Sequence, residues 1–261
     1  MSEPVATVPA ATTLILRDTA HGLEVFMVVR HHQIDFASGA LVFPGGKVDP
    51  GDSDVEEYCT GIQGSDAGAI AMMVGSIREA FEECGVLLAR QKGSTDLISG
   101  SHLSALAHYR DKLHDGTITL KDFLEAEQLE LACDSLQKFA HWVTPEMMPK
   151  RFDTMFYLAV APQDHVAIHD GGESVDSVWI RPQAALDDAK LGRYTIIFPT
   201  RLNIELLAQS HTVQKAFEMA QNRPIVTVIP WTEKRQDGNY ICIPEAAGYA
   251  VCEEKIPATP A

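Results

Sequence analysis

Positive charge is scarce in this chain: Lys and Arg total 21 against 36 Asp and Glu, a formal net charge of -15. A surface of that sign repels a phosphate backbone, so general binding to DNA or RNA is not expected. Paired cysteines are lacking as well. Cys59, Cys84, Cys133, Cys242 and Cys252 are scattered, odd in number and form no CxxC, which fits neither a disulfide framework nor a zinc site and reads as reduced thiols in a cytoplasmic protein. No run reaches the roughly 18 apolar residues of a membrane span, so no membrane partner is expected. MSEPVATVPAATTLILRD has no basic segment leading an apolar stretch, and no signal peptide is read there. KIPATPA carries no retention or peroxisomal tripeptide. Also missing from the sequence are a P-loop, a nucleophile elbow, a dinucleotide fingerprint and an HExxH pair.

What the chain does contain begins with two β-rich runs in ATTLILRDTAHGLEVFMVVRH. They predict an antiparallel hairpin over about 13–17 and 23–30. LVFPGG then reads as a short strand ending in a sharp turn, because Pro44 cannot continue a ladder and Gly45 and Gly46 permit positive φ. From about Asp66 the apolar residues Val74, Ile77, Phe81 and Cys84 recur at spacings of three and four, which predicts a helix closed by Gly85. Residues 99–141 read as a helical insertion. Beyond it, FDTMFYLAVAP and SVDSVWIRP predict strands; PQAALDDAKLG, FPTRLNIELLAQS and HTVQKAFEMAQN predict helices; IVTVIPW and NYICIP predict late strands. One domain over 12–252 is expected, with insertions at about 53–70 and 99–141, a helical C-terminal extension, and flexible tails at 1–11 and 253–261.

REAFEECG, residues 78–85, concentrates the chemistry. At about 100° per residue, Glu79, Glu82 and Glu83 fall in a sector of roughly 100°, opposite Ile77, Phe81 and Cys84. Like charges at such spacings cost a few tenths of a kcal/mol per pair, and no Lys lies near enough in sequence to relieve them. Clustered carboxylates suit a hard divalent cation, which takes oxygen ligands and often a substrate's phosphates. Upstream, Gly45 and Gly46 allow the backbone to approach a ligand where a side chain would obstruct it.

Together these stretches resemble the Nudix hydrolase family, whose box reads G-x5-E-x7-R-E-apolar-x-E-E-x-G-apolar. Gly46 opens the box, and Arg78, Glu79, Ala80, Phe81, Glu82, Glu83, Cys84, Gly85 and Val86 complete its second half. Its first half departs twice: Asp52 stands where the family has Glu, and residues 53–77 replace a spacer of seven. The resemblance implies an α+β Nudix fold, a mixed β-sheet sandwiched between helices, here with helical insertions. It implies Mg2+ or Mn2+ held by Glu79, Glu82, Glu83 and Gly46, with Arg78 as the charge partner that orients them. Glu83 or Glu173 is the candidate acceptor of a proton from water.

Arg30, Gly39 and Phe43 to Gly46 fall at the spacing of a coenzyme A diphosphatase signature, which His31 and Asp35 do not match. Arg30, Gly45 and Gly46 are the candidate substrate contacts. Trp142, Thr144, Pro145 and the run Arg151, Phe152, Asp153, Thr154 resemble the long acyl-coenzyme A diphosphatase branch. That branch implies cleavage of coenzyme A or its acyl esters to 3′,5′-ADP and (acyl)phosphopantetheine. ADP-ribose or dinucleotide hydrolysis, and a non-catalytic nucleotide-binding module, are the alternatives. The resemblance is also compatible with a homodimer.

Overall fold

A computed structural model describes residues 5–30, 39–162, 164, 165, 167 and 174–257. The strands are β1 Val8–Thr19, β2 Gly22–Arg30, β3 Leu41–Val42, β4 Gly45–Lys47, β5 Cys59–Thr60, β6 Ala89–Gln91, β7 Leu129–Ala132, β8 Gln137–Val143, β9 Phe152–Val160, β10 Ser174–Ile180, β11 Thr227–Val228, β12 Trp231–Arg235, β13 Gly238–Cys242 and β14 Glu253–Lys255. The helices are α1 Ala67–Cys84, α2 Gly100–Leu106, α3 Tyr109–His114, α4 Leu120–Glu127, α5 Pro182–Lys190, α6 Phe198–Leu207 and α7 Val213–Asn222.

The main sheet runs β10-β2-β1-β9-β8-β11, with β3 added to β2 and β4 to β1. It is mixed, since β1 lies antiparallel to β2 and parallel to β9. Successive strand residues face opposite sides, and here both sides are apolar. Leu14 and Leu16 of β1, Val25 and Met27 of β2, and Phe156 and Leu158 of β9 share one core with Leu202 and Ile204 of α6 and Ala216 and Ala220 of α7. Their neighbours point the other way. Ile15, Phe26 and Val28 meet Ala80 and Cys84 of α1, while Tyr157 and Ala159 pack with Val74, Ile77 and Phe81. The sheet is therefore covered by helices on both faces, the α+β arrangement expected.

Helix α1 begins and ends where the sequence places it. Asp66 accepts the Ala69 N–H at 2.8 Å, and Gly85 turns left-handed at φ 67 to stop it. Thr13 and Ser76, both buried, bring their hydroxyls 2.5 Å apart and tie β1 to the middle of the helix.

Helices α2 to α4 follow, and Phe123 of α4 stacks on Phe81 of α1 with ring centroids 5.6 Å apart. The helical reading of 99–141 holds to Glu127 and fails beyond it. Gln128 is left-handed at φ 54, which ends the helix. Leu129 and Leu131 are then buried on either side of half-buried Glu130, the period of a strand. β7 joins β5 and β6 in a small second sheet, and β8 enters the main one. After α7 the chain also returns to strands: β12, β13 and β14 form a separate antiparallel sheet, its first hairpin closed by Gly238 at φ 145.

The five cysteines are free thiols. Cys59 and Cys133, remote in sequence, meet beside β5 and β7, where the neighbouring Cys59 thiol and burial push the Cys133 thiol up. Among the described residues no helix is long and apolar enough to cross a membrane.

Candidate active site

Strand β4 and the acidic face of α1 build the site. Gly45, Gly46 and Lys47 pair with Thr12, Ala11 and Ala10 of β1, so the double glycine is a short strand on a β1 template and not a turn. Positive φ is found at Gly45, φ 151, where an added Cβ would strike the Ala11 carbonyl and Thr12. Gly46 does not share it; its requirement is space, because a Cβ there would collide with the Glu79 carboxylate. The Gly45 N–H donates to Glu83 Oε2 at 2.8 Å. Two adjacent glycines thus bring backbone against two different acids of one helix.

Arg78 gathers the rest. Its Nε and Nη2 donate to Asp52 Oδ1 and Oδ2 at 2.8 and 3.0 Å. Its Nη1 donates to Glu79 Oε1 at 3.1 Å and to Glu82 Oε1 at 3.3 Å. Nη2 also reaches the Lys47 carbonyl at 2.8 Å and lies 3.7 Å from Asp49 Oδ2. Asp52, only 1% exposed, is itself fixed by the Asp49 N–H at 2.8 Å. Room for it comes from Gly75, where an added Cβ would stand 3.0 Å from Asp52 Oδ2. A glycine inside a helix costs about 1 kcal/mol relative to Ala; here it admits the partner of the buried arginine.

Arg78, Glu82 and Glu83 are all buried, so these charges interact in a poorly screened setting. Burial opposes the Arg78 charge, but its hydrogen bonds to Asp52 and the charges of Glu79, Asp52 and Glu82 outweigh it and hold the guanidinium protonated beyond its usual range. Burial also raises the Glu82 pKa, with Arg78 pulling back against it. Helix α3 approaches the same residue: His114 Nδ1 lies 3.8 Å from Glu82 Oε2. Asp52, Glu79, Glu82 and Glu83 are four carboxylates around the Arg78 guanidinium, leaving an acidic surplus.

Among the described residues no three carboxylate, imidazole or thiol groups converge on a single point. Glu79 and Glu82 are turned to Arg78, and Glu83 to Gly45. Mg2+ does not demand such a cage, since it keeps several waters and uses one or two carboxylates plus a substrate's phosphates. Hard oxygen donors with surplus negative charge fit Mg2+ or Mn2+.

Other sequence candidates fall elsewhere. Arg30 ends β2, bonded through its backbone to Ala40 and Gly39, and among the described residues its buried Nε has no hydrogen-bond partner. Among the described residues no hydrogen bond or ion pair joins Arg30 to the acidic cluster. Glu173, His31 and Asp35 lie outside the described residues. Arg151 is a brace: its Nε donates to the Thr144 carbonyl at 3.0 Å and its Nη1 to the Val5 carbonyl at 2.7 Å. Asp153 bonds to His141 Nε2 at 2.5 Å. Sequence reasoning missed Asp49, the Lys47 carbonyl, Gly75, Arg110 and His114. Only Gly75 left a local signal, a glycine within an otherwise helical apolar pattern.

The family model described as the NUDT19 Nudix domain matches residues 63–207, more than half of the 261 residues. The chain is 26% identical over 187 residues to a putative nudix hydrolase 7 of Caenorhabditis elegans, covering 71% of this chain and 56% of that protein. It is 26% identical over 212 residues to the acyl-coenzyme A diphosphatase NUDT19 of Homo sapiens, covering 64% of this chain and 56% of that one. The chain therefore spans about half the length of these curated relatives. A crystal structure of a NUDIX hydrolase from Alicyclobacillus acidocaldarius superposes with a TM-score of 0.69 at 26% identity, covering 82% of this chain and 96% of that one.

Proposed function

The chain belongs to the Nudix family, and from that premise we propose that it is a metal-dependent pyrophosphohydrolase acting on coenzyme A or an acyl-coenzyme A, with 3′,5′-ADP and (acyl)phosphopantetheine as products. One observation carries the reading: Arg78 collects Asp52, Glu79 and Glu82 while the Gly45–Gly46 backbone lies directly against Glu79 and Glu83. Such a site costs electrostatic energy unless a cation completes it.

Glu79, Glu82 and Glu83, with the Gly46 backbone, would hold Mg2+ or Mn2+. When bound, the ion neutralises charge on the pyrophosphate and acidifies a water. The chain's own groups divide the remaining work. Arg78 orients Glu79 and Glu82 and stays protonated throughout. Glu83, positioned by the Gly45 N–H, accepts the proton of the attacking water. Arg30, whose buried Nε has no partner among the described residues, contacts the substrate's phosphates; a buried donor without an acceptor costs about 1–3 kcal/mol, which an anionic ligand would recover. Support for the coenzyme A class comes from the partial signature around Arg30 and from the activity named for the human relative.

Incubation with Mg2+ or Mn2+ and a panel of coenzyme A, acyl-coenzyme A, ADP-ribose and dinucleotides, followed by chromatography, tests the proposal. Release of 3′,5′-ADP from the coenzyme species is expected. Turnover of ADP-ribose or a dinucleotide alone would overturn the substrate class. Nucleotide binding without turnover of any member would overturn the enzyme.

A further inference from the structure

We propose that Arg110, on the inserted helix α3, is a positioning residue that fixes the acidic end of α1 and thereby the placement of the Glu82 and Glu83 carboxylates. This rests on the pyrophosphohydrolase reading. The last carbonyls of a helix have no partner within it. At the end of α1, the Gly85 N–H closes onto the Phe81 carbonyl at 2.9 Å and the Val86 N–H onto the Ala80 carbonyl at 3.1 Å. The next carbonyl belongs to Glu82, and Arg110 takes it with two donors, Nε at 3.1 Å and Nη2 at 2.9 Å. A cation there also opposes the negative end of the helix dipole.

The approach is close. An added Cβ on Gly85 would stand 3.2 Å from Arg110 Nη1, so the glycine that ends the helix also admits the guanidinium. One turn further along α3, His114 faces the side chain of the same glutamate at 3.8 Å. Residue 82 is therefore gripped through its backbone by Arg110 and approached through its carboxylate by His114. Helix α3 is anchored in turn by buried Leu113 and by the Tyr109 hydroxyl, which donates to Glu127 at 2.8 Å. The insertion thus has a task at the site although it contributes no member of the box.

The test titrates Mn2+ alone into the full chain, read by electron paramagnetic resonance, for the unaltered protein, Arg110→Met, Arg110→Lys and Leu113→Ala. Outer-shell groups that orient metal ligands typically change metal affinity by about 10–100-fold. Arg110→Met is expected to weaken Mn2+ about 10-fold and to lower kcat by a similar factor with little change in KM for the pyrophosphate substrate. Arg110→Lys, which keeps a cationic donor, should recover most of both. Leu113→Ala, which loosens the anchor of α3 and leaves the Arg110 guanidinium in place, should lower the melting temperature and weaken Mn2+ much less than Arg110→Met does. Unaltered Mn2+ affinity in Arg110→Met, or equal weakening in Leu113→Ala, would overturn the inference alone. Failure of the unaltered protein to bind Mn2+ would overturn the parent reading and this one with it.

Discussion

Asp52 and Arg78 meet in a two-pronged buried pair, Nε to Oδ1 at 2.8 Å and Nη2 to Oδ2 at 3.0 Å, although they stand 26 positions apart. The intervening turns and the start of α1 lengthen the path without separating the ends, because Gly75 gives Asp52 space against the helix. Replacing one member of a buried pair leaves the other charge without its partner, at a cost of about 3–5 kcal/mol. Asp52→Asn is expected at the lower end, near 3 kcal/mol, because Glu79 and Glu82 still face Arg78. Urea unfolding of both proteins measures it, and a loss below about 1 kcal/mol would remove Asp52 as the main anchor of the arginine.

The two adjacent glycines should respond differently to the same methyl group. At Gly46 the atoms nearest an added Cβ are those of the Glu79 carboxylate, the far end of a flexible side chain, so the acid moves and the fold survives. Gly46→Ala is expected to lower kcat by about 100-fold, the penalty of a small misplacement at the reacting centre, with a nearly unchanged melting temperature. At Gly45 the obstacle is the backbone of Ala11 and Thr12, and φ is 151. Gly45→Ala should therefore cost at least about 2 kcal/mol in stability. Parallel melting curves and initial rates separate the two; loss of stability at both positions would show that the Glu79 side chain cannot yield.

Glu83→Gln isolates charge from shape. Its amide oxygen can still accept the Gly45 N–H, so the helix and strand stay together. Without a carboxylate to accept a proton, the rate should fall about 10²–10⁴-fold while the melting temperature holds. Retention of more than a tenth of the activity would move proton acceptance away from Glu83, to Glu173 first among the other acids.

The sequence is most legible where a contact is local. Asp66, Gly85 and the spacing of Val74, Ile77, Phe81 and Cys84 define α1 because caps and packing lie within the helix itself. Glu79, Glu82 and Glu83 could be grouped for the same reason. What was hidden depends on partners elsewhere. Gly45 to Lys47 become a strand only because β1 offers unpaired groups to them. Residues 129–132 carry apolar spacing compatible with either period until Gln128 breaks the helix. Arg110 has no signature at all, since its role is defined by a carbonyl 28 positions away, and any helix former at its position would satisfy the local pattern.

The small β5-β7-β6 sheet should show its own acid sensitivity. Arg90 Nη1 and Nη2 donate to Asp134 Oδ1 and Oδ2 at 2.6 and 2.8 Å, and this hydrogen bonding holds the Asp134 carboxyl below the usual carboxylate range, with the Thr60 hydroxyl assisting. A carboxyl depressed in the folded state binds its proton more readily when unfolded. Its contribution is therefore fully present above the unfolded value of about 3.9 and declines as pH falls through the lower folded value. The Asp134 side chain is 47% exposed, so solvent screening limits the pair to about 1 kcal/mol or less. Comparing Asp134→Asn with the unaltered protein by urea unfolding from pH 7 to pH 2 should show a constant difference down to about pH 5 and a shrinking one below about pH 4. A difference that stays constant to pH 2 would assign the effect to packing against Gly61, whose Cβ position Asp134 already occupies, and not to the ion pair.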